Sequence, residues 1–213
     1  MFEALRYPAR GRTGEKAVLA AWLCVFLHAI ALPVLALVPL VGYLASVLVA
    51  GGERTPPPVF ERSLLARSLG AAVLTVAYAA GPVAIVLVTV RLLLETAREP
   101  TGADVFVVFA GSTAVLATLA VAAYLLPIAL ANYATAGSLR AGFSTLSPVA
   151  THAGYFVGWC SGLVLALVGV TLSSGLLGAS SALTVVGAFV GGYTALVATR
   201  RVARGYALAS ERR

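Results

Sequence analysis

Residues 17–50 read AVLAAWLCVFLHAIALPVLALVPLVGYLASVLVA, 34 positions without a Lys, Arg, Asp or Glu. As one helix they would be about 51 Å long, against a hydrocarbon core of about 30 Å. The same residues fit a hairpin that turns near Pro33 and returns to Gly42-Tyr43. Local propensity leaves three forms open: one long tilted helix, two short spans, or a re-entrant hairpin. The choice sets whether the chain crosses a membrane an odd or an even number of times.

Working outward, three more tracts lack formal charge: 68–90, 105–139 and 141–199. The chain is 60% apolar and 11% charged, whereas soluble domains carry roughly 25% charged residues. A soluble protein of 213 residues could bury one such tract but not four. The tract 141–199 holds 59 residues, nearly three bilayers as a straight rod at about 1.5 Å per residue. It has to fold back, and the Ser/Gly cluster from Ser173-Ser174-Gly175 to Ser180-Ser181 reads as the loop. Helices are expected near 149–172, 182–203, 104–133 and 68–90, the last with Gly81-Pro82 in its middle. Membrane helices tolerate such a proline where neighbours satisfy the freed carbonyl.

Charge decides the first tract. If it returns to its starting side, the N-terminal tail, the 51–67 loop, the Arg140 loop and the C-terminal tail share one face. They hold thirteen of the fifteen basic residues, leaving Arg91 and Arg98 opposite. A single crossing gives no better than nine against six. The positive-inside bias therefore selects the hairpin, with both termini cytoplasmic. The expected fold is an all-α integral membrane helical bundle of about three helical hairpins, with five or six transmembrane helices and a first hairpin that is short or re-entrant. One membrane domain, 1–213, divides into a basic tail (1–16), the first hairpin (17–50), a Pro-rich interfacial loop (51–67), the second hairpin (68–139), a second interfacial loop (140–148), the third hairpin (149–205) and a basic tail (206–213). The basic start followed by an apolar run resembles a signal peptide, but the run far exceeds an h-region of about 7–15 residues and is read as retained.

Each hairpin ends its return with a small or polar residue before a tyrosine: Gly42-Tyr43, Asn132-Tyr133 and Gly192-Tyr193. Tyr43, Tyr133 and Tyr193 read as interfacial anchors, rings in hydrocarbon and hydroxyls among headgroups. The pairs are either a threefold internal repeat or chance among eight Tyr and 21 Gly. Two amphipathic stretches, Phe60 with Leu64 and Leu65, and Leu139 with Phe143 and Leu146, either suit the headgroup plane as short interfacial helices or are simply loop ends. Gly154, Gly158 and Gly162 share one helix face, and Gly187 with Gly191 repeats the spacing on the next helix. Small residues four apart let membrane helices touch, here as an internal contact or as a homodimer face.

The net charge of +7 sits at tract ends. Its expected partners are membrane lipids, through anionic headgroups at the cytoplasmic arginines, and an unidentified membrane protein partner. Without aromatics interleaved in a basic patch, nucleic acid is not expected. No cofactor is expected either. Cys24 and His28 share a face, but His152 and Cys160 stand about 12 Å apart along a helix and cannot both ligate one ion. Gly158-Trp159-Cys160-Ser161-Gly162 is one residue too long for the Gly-x-Ser-Gly of an intramembrane serine protease. No carboxylate lies in a span centre, and nothing makes a positive case for an enzyme. The leading expectation is a non-enzymatic scaffold or accessory membrane component. The alternative is a transporter with a polar cavity between hairpins, near Thr75, Tyr78, Gly81, Pro82 and Asn132.

The order of several short elements carries a resemblance. Leu5-Arg6-Tyr7-Pro8 precedes the first tract, and Gly42-Tyr43-Leu44 and Pro58-Val59-Phe60 follow. Tyr78 with Pro82, Pro127 through Asn132-Tyr133-Ala134, Gly137-Ser138-Leu139 to Phe143, and Tyr155 with Trp159 complete it. In these the chain resembles the archaeal membrane family known as domain of unknown function 4013. It departs after the Pro-x-Phe element, where Glu61-Arg62-Ser63-Leu64 replaces acidic residues and a Trp. The resemblance implies a multi-pass protein of a prokaryotic cell membrane and no particular activity.

Overall fold

A computed structural model describes residues 5–59, 63–96, 102–144 and 147–210. The helices are α1 (Gly11–Ile30), α2 (Leu37–Val49), α3 (Leu64–Thr96), α4 (Gly102–Ala136), α5 (Ser147–Ala150), α6 (Ala153–Leu177) and α7 (Ser181–Ser210), with a 3₁₀ turn at Leu139–Phe143. Five of them, α1, α3, α4, α6 and α7, are long and apolar enough to cross a membrane. The fold is an all-α membrane bundle.

The first tract is a hairpin of unequal arms. The 20 residues of α1 reach about 30 Å, and the 13 of α2 about 20 Å, so only α1 matches the hydrocarbon thickness. The turn between them is closed by side-chain and backbone bonds. The amides of Ala31 and Leu32 both donate to the Leu27 carbonyl, at 3.0 and 2.8 Å. Val34 has φ 70°, an unusual conformation for a β-branched residue. Its amide donates to His28 Nδ1 at 3.1 Å. His28, the one ionisable group deep in the tract, is therefore a turn-closing acceptor.

The short α2 is the wedge of the bundle. It touches α1, α3, α4 and α7, and Ala45, Val47 and Leu48 are buried. The long α7 carries α1 and α6 on its flanks, and α3 pairs with α4. Both core clusters gather toward one end of the molecule, where Leu74, Ile128, Tyr155 and Ala203 meet in one and Tyr7, Tyr43 and Leu196 in the other. The outer half of the α3–α4 hairpin is apolar and open: Leu87, Phe106, Phe109 and Leu116 are all exposed. In a bilayer that is a lipid-facing surface, since lipid tails solvate it as well as a protein core would.

Three expectations need correction. Only the second half of the Ser/Gly cluster is the loop of the third hairpin: α6 continues through Ser173-Ser174-Gly175 to Leu177, and residues 178–180 connect it to α7. The serines are compatible with helix because each hydroxyl has a carbonyl. Ser173 donates to Gly187 O at 2.8 Å and Ser174 to Val170 O at 2.7 Å. The helices also extend past their expected ends, so α3 takes in Arg67 and Arg91 and α7 takes in Arg204. Finally, the described part of the second amphipathic stretch is a 3₁₀ turn and not an α-helix. It docks on α3 and α4, with Gly142 against Leu74 and Phe143 stacked on Tyr78 at 5.6 Å. Phe60, Glu61, Arg62 and Leu146 lie outside the described residues.

Candidate functional site

The basic end of the bundle is organised by Arg200. Sequence alone counts it among charges offered to headgroups, yet only 6% of it is exposed. Its guanidinium donates to the carbonyls of Ala50 at 2.9 Å and Gly51 at 2.8 Å, and to that of Glu53. It also lies 4.5 Å from the centroid of the Tyr7 ring. These contacts tie the end of α2, the loop after it, the N-terminal tail and α7 into one node. A planar guanidinium suits this role because its donors point in several fixed directions. The carbonyls of Gly51 and Glu53 follow α2 beyond its helical bonds, and Ala50 O also accepts from the Glu53 N–H at 3.0 Å, so the node also caps a helix end.

Burial pushes the Tyr7 phenol up to about 12, with Arg200 opposing the shift and Glu53 adding to it. The Tyr7 hydroxyl has no hydrogen-bond partner among the described residues. Because the folded-state value lies above the ordinary one near 10, stability from this neutral phenol is complete below pH 10 and is lost as pH rises toward 12. Tyr7→Phe is expected to fold within about 1 kcal/mol of the parent at neutral pH. It is also expected to flatten the alkaline fall between pH 10 and 12 in melting temperature measured in detergent.

The three tyrosines expected at the membrane interface fasten chain segments. Tyr43, 3% exposed, donates to Pro57 O at 2.9 Å and holds the Pro-rich loop. Tyr133, 8% exposed, abuts Gly70 and donates to Ala66 O at 3.4 Å. Tyr193 is half-buried and donates to the carbonyl of Leu5. Their hydroxyls need polar partners, as the interfacial reading requires, and backbone carbonyls supply them.

A second device was not legible from sequence. Pro127 stands inside α4, so the carbonyl of Ala123, four residues earlier, loses its helical donor. Trp159 of α6 donates its indole N–H to Ala123 O at 2.9 Å, and Tyr155, one turn before it, donates to Tyr124 O at 2.6 Å. Tyr124 packs edge-on against both rings and donates to Ala150 O. Trp159→Phe keeps an aromatic ring but orphans a carbonyl, so a loss of about 1–3 kcal/mol is expected. A denaturation midpoint in mild detergent checks it; an unchanged midpoint would show that the indole bond does not hold the two hairpins together.

The glycine stripe lies inside the α6–α7 contact. A Cβ on Gly158 would stand 2.9 Å from Gly205 Cα and 3.0 Å from Arg201 O, and one on Gly162 would stand 2.9 Å from Ala198 O. Gly154 faces Leu208, Gly187 faces Ser173 and Leu176, and Gly191 faces Ser173 and Val25 of α1. Where α6, α7 and the 50–53 loop meet, Gly51, Gly52, Gly154, Gly158 and Gly205 line a cleft of about 420 Å³. Arg201 and Arg204 also line it.

Three of the five residues proposed for a polar cavity converge, and Thr75 and Asn132 lie apart from them. Tyr78, Gly81 and Pro82 line a cleft of about 470 Å³ between α3 and α4, whose other walls include Val121, Leu125 and Phe143. Its two hydroxyls are engaged, Tyr78 with Gly142 O and Thr118 with Ala114 O. Thr75 donates to Ala71 O within its own helix. Asn132 bridges Ser144 O and the Tyr206 hydroxyl at the basic end. Among the described residues no three His, Cys, Asp or Glu form a group able to hold a metal. His152 caps α6 through Gly154 N–H, and Ser161 donates to Gly158 O.

Paired antiparallel helices, five of them bilayer-length, and polar side chains turned onto backbone carbonyls define an integral membrane protein of the helical-bundle class. The family model described as a protein of unknown function (DUF4013) matches residues 25–178, and the chain belongs to that family. No curated protein and no solved structure matches it.

Proposed function

We propose that the protein is a non-enzymatic scaffold or accessory component of an archaeal cell membrane, with both termini cytoplasmic and its arginine-rich end against anionic headgroups. The observation that carries this reading is the use made of polar groups inside the bundle. Arg200, Asn132, Tyr78, Tyr155, Trp159 and Ser173 each bond to another segment's backbone, which spends their chemistry on cohesion. The exposed apolar flank of the α3–α4 hairpin suits contact with lipid and with a membrane protein partner.

Purification of the full chain in a mild lipid-preserving detergent, with mass spectrometry of what accompanies it, tests the reading. A stoichiometric membrane protein that also crosslinks to the chain in cells is the expected result. A chain that purifies alone with one defined small solute would overturn it and favour the permeation alternative. Cysteines placed singly at residues 54 and 178, in a chain lacking Cys24 and Cys160, test the orientation. Position 54 is expected to be labelled only from the cytoplasmic side, and position 178 only from outside.

A further inference from the structure

The cleft at the basic end has the composition of an anion site that opens onto lipid. Its floor is backbone, because five of its residues are glycines, so a ligand can approach the main chain closely. Its volume of about 420 Å³ lies within the range of small-ligand sites, about 300–1,000 Å³. The start of α6 faces it through Gly154 and Gly158, and the positive end of a helix favours an anion. Arg201 and Arg204, three residues apart on α7, line the same space. The Arg201 Nε–H is buried and has no acceptor among the described residues. Arg10 and Arg204 both act electrostatically on Arg200, with Glu53 as a counter-charge. On its bilayer side the margin is apolar: Val157 is 65% exposed, and Val164, two turns further into the span on the same face of α6, is 60% exposed.

We propose that this cleft binds the phosphate of an anionic membrane phospholipid, with Arg201 and Arg204 on the phosphate oxygens and the acyl chains along Val157 toward Val164. Guanidinium and phosphate pair through parallel charge-assisted hydrogen bonds. A free phosphate would meet the same arginines but leave the apolar margin unused, which favours the lipid as source. The proposal rests on the reading that the basic end faces anionic headgroups, and it narrows that reading to one site.

The test titrates the full chain in mild detergent with short-chain phosphatidylglycerol, short-chain phosphatidylcholine and inorganic phosphate. Bound lipid is counted by native mass spectrometry and stability is followed by melting temperature. One retained phosphatidylglycerol per chain is expected, with phosphatidylcholine about tenfold weaker and no shift from phosphate at equal concentration. Arg201→Gln with Arg204→Gln is expected to weaken phosphatidylglycerol about tenfold. Arg54→Gln, exposed at the same end, is expected to change nothing. Equal losses in both variants would overturn the site and leave the headgroup reading standing. No preference for phosphatidylglycerol in the parent chain would overturn both. A response to inorganic phosphate equal to that of the lipid would make this a free-anion site and overturn the lipid assignment. Phosphatidylglycerol with a photoreactive headgroup gives a measurement on the parent chain: labelling is expected within residues 154–161 and 201–208, and labelling confined elsewhere would sink the proposal without any variant having to fold.

Discussion

Arg200→Leu is expected to lower the stability of the full chain by about 3–5 kcal/mol, the range seen when one partner of a buried charged contact is removed. The substitution orphans the carbonyls of Gly51 and Glu53, leaves Ala50 O with only the Glu53 N–H, and removes the cation from the face of Tyr7. Each unsatisfied buried acceptor costs about 1–3 kcal/mol, and the losses are not additive because the loop can relax partly toward solvent. Arg200→Lys is the informative companion. An ammonium keeps the charge but lacks the planar fork that meets several carbonyls at once. It is expected to recover less than half of the loss. Unfolding in mild detergent, followed by tryptophan fluorescence, measures both. A leucine variant within about 1 kcal/mol of the parent would remove Arg200 from the centre of this fold.

Gly158→Val carries the second large effect, a loss of about 2–4 kcal/mol with separation of α6 from α7. The added Cβ would meet Gly205 Cα at 2.9 Å and Arg201 O at 3.0 Å. Both are backbone, so no side-chain rotation relieves the contact, and the whole helix pair must open. Gly175→Ala on the same helix is the control. Nothing lies within 4 Å of its Cβ position, and replacing a helical glycine there is expected to be neutral or to gain up to about 1 kcal/mol. The measurement is again an unfolding midpoint, now paired with size-exclusion light scattering. If Gly158→Val changed the oligomeric state and left the monomer's stability intact, the stripe would be a homodimer face.

The contrast between Gly158 and Gly205 shows where sequence reading stops. The four-residue spacing of Gly154, Gly158 and Gly162 is visible in one dimension, because it is a property of a single helix. Gly205, which meets Gly158, has no such repeat around it and sits among arginines and alanines. Its role exists only once two helices have a crossing point. Arg200 was misread for a related reason. Its neighbours Arg201 and Arg204 make it look like one more charge in a solvated cluster, and burial depends on the α2 end arriving beside it. Trp159 and Pro127 are 32 residues apart, and nothing local links an indole to the carbonyl that a proline releases.

The Ser/Gly cluster teaches the reverse lesson. In water, Ser173-Ser174-Gly175 reads as a break because solvent competes for the backbone. In an apolar setting the hydroxyls find carbonyls, Ser174 within its own helix and Ser173 on α7, so the polar groups are satisfied without a break. Turn signals weighted for soluble chains therefore move a membrane loop by several residues.

Sequence by itself determined the membrane class, the all-α fold, the hairpin return of the first tract and the collection of basic segments at one end. All of these follow from the high cost of placing charge or unpaired backbone in hydrocarbon, a cost written along the chain wherever charge is absent. Only the tertiary structure decided that α2 is a short central wedge, that Tyr43 and Tyr133 hold carbonyls inside the bundle, and that Arg200 is buried while Arg201 and Arg204 border a glycine-lined cleft. Those outcomes depend on which carbonyl each donor reaches, and that partner is chosen by distance in three dimensions between residues as far apart as Tyr193 and Leu5.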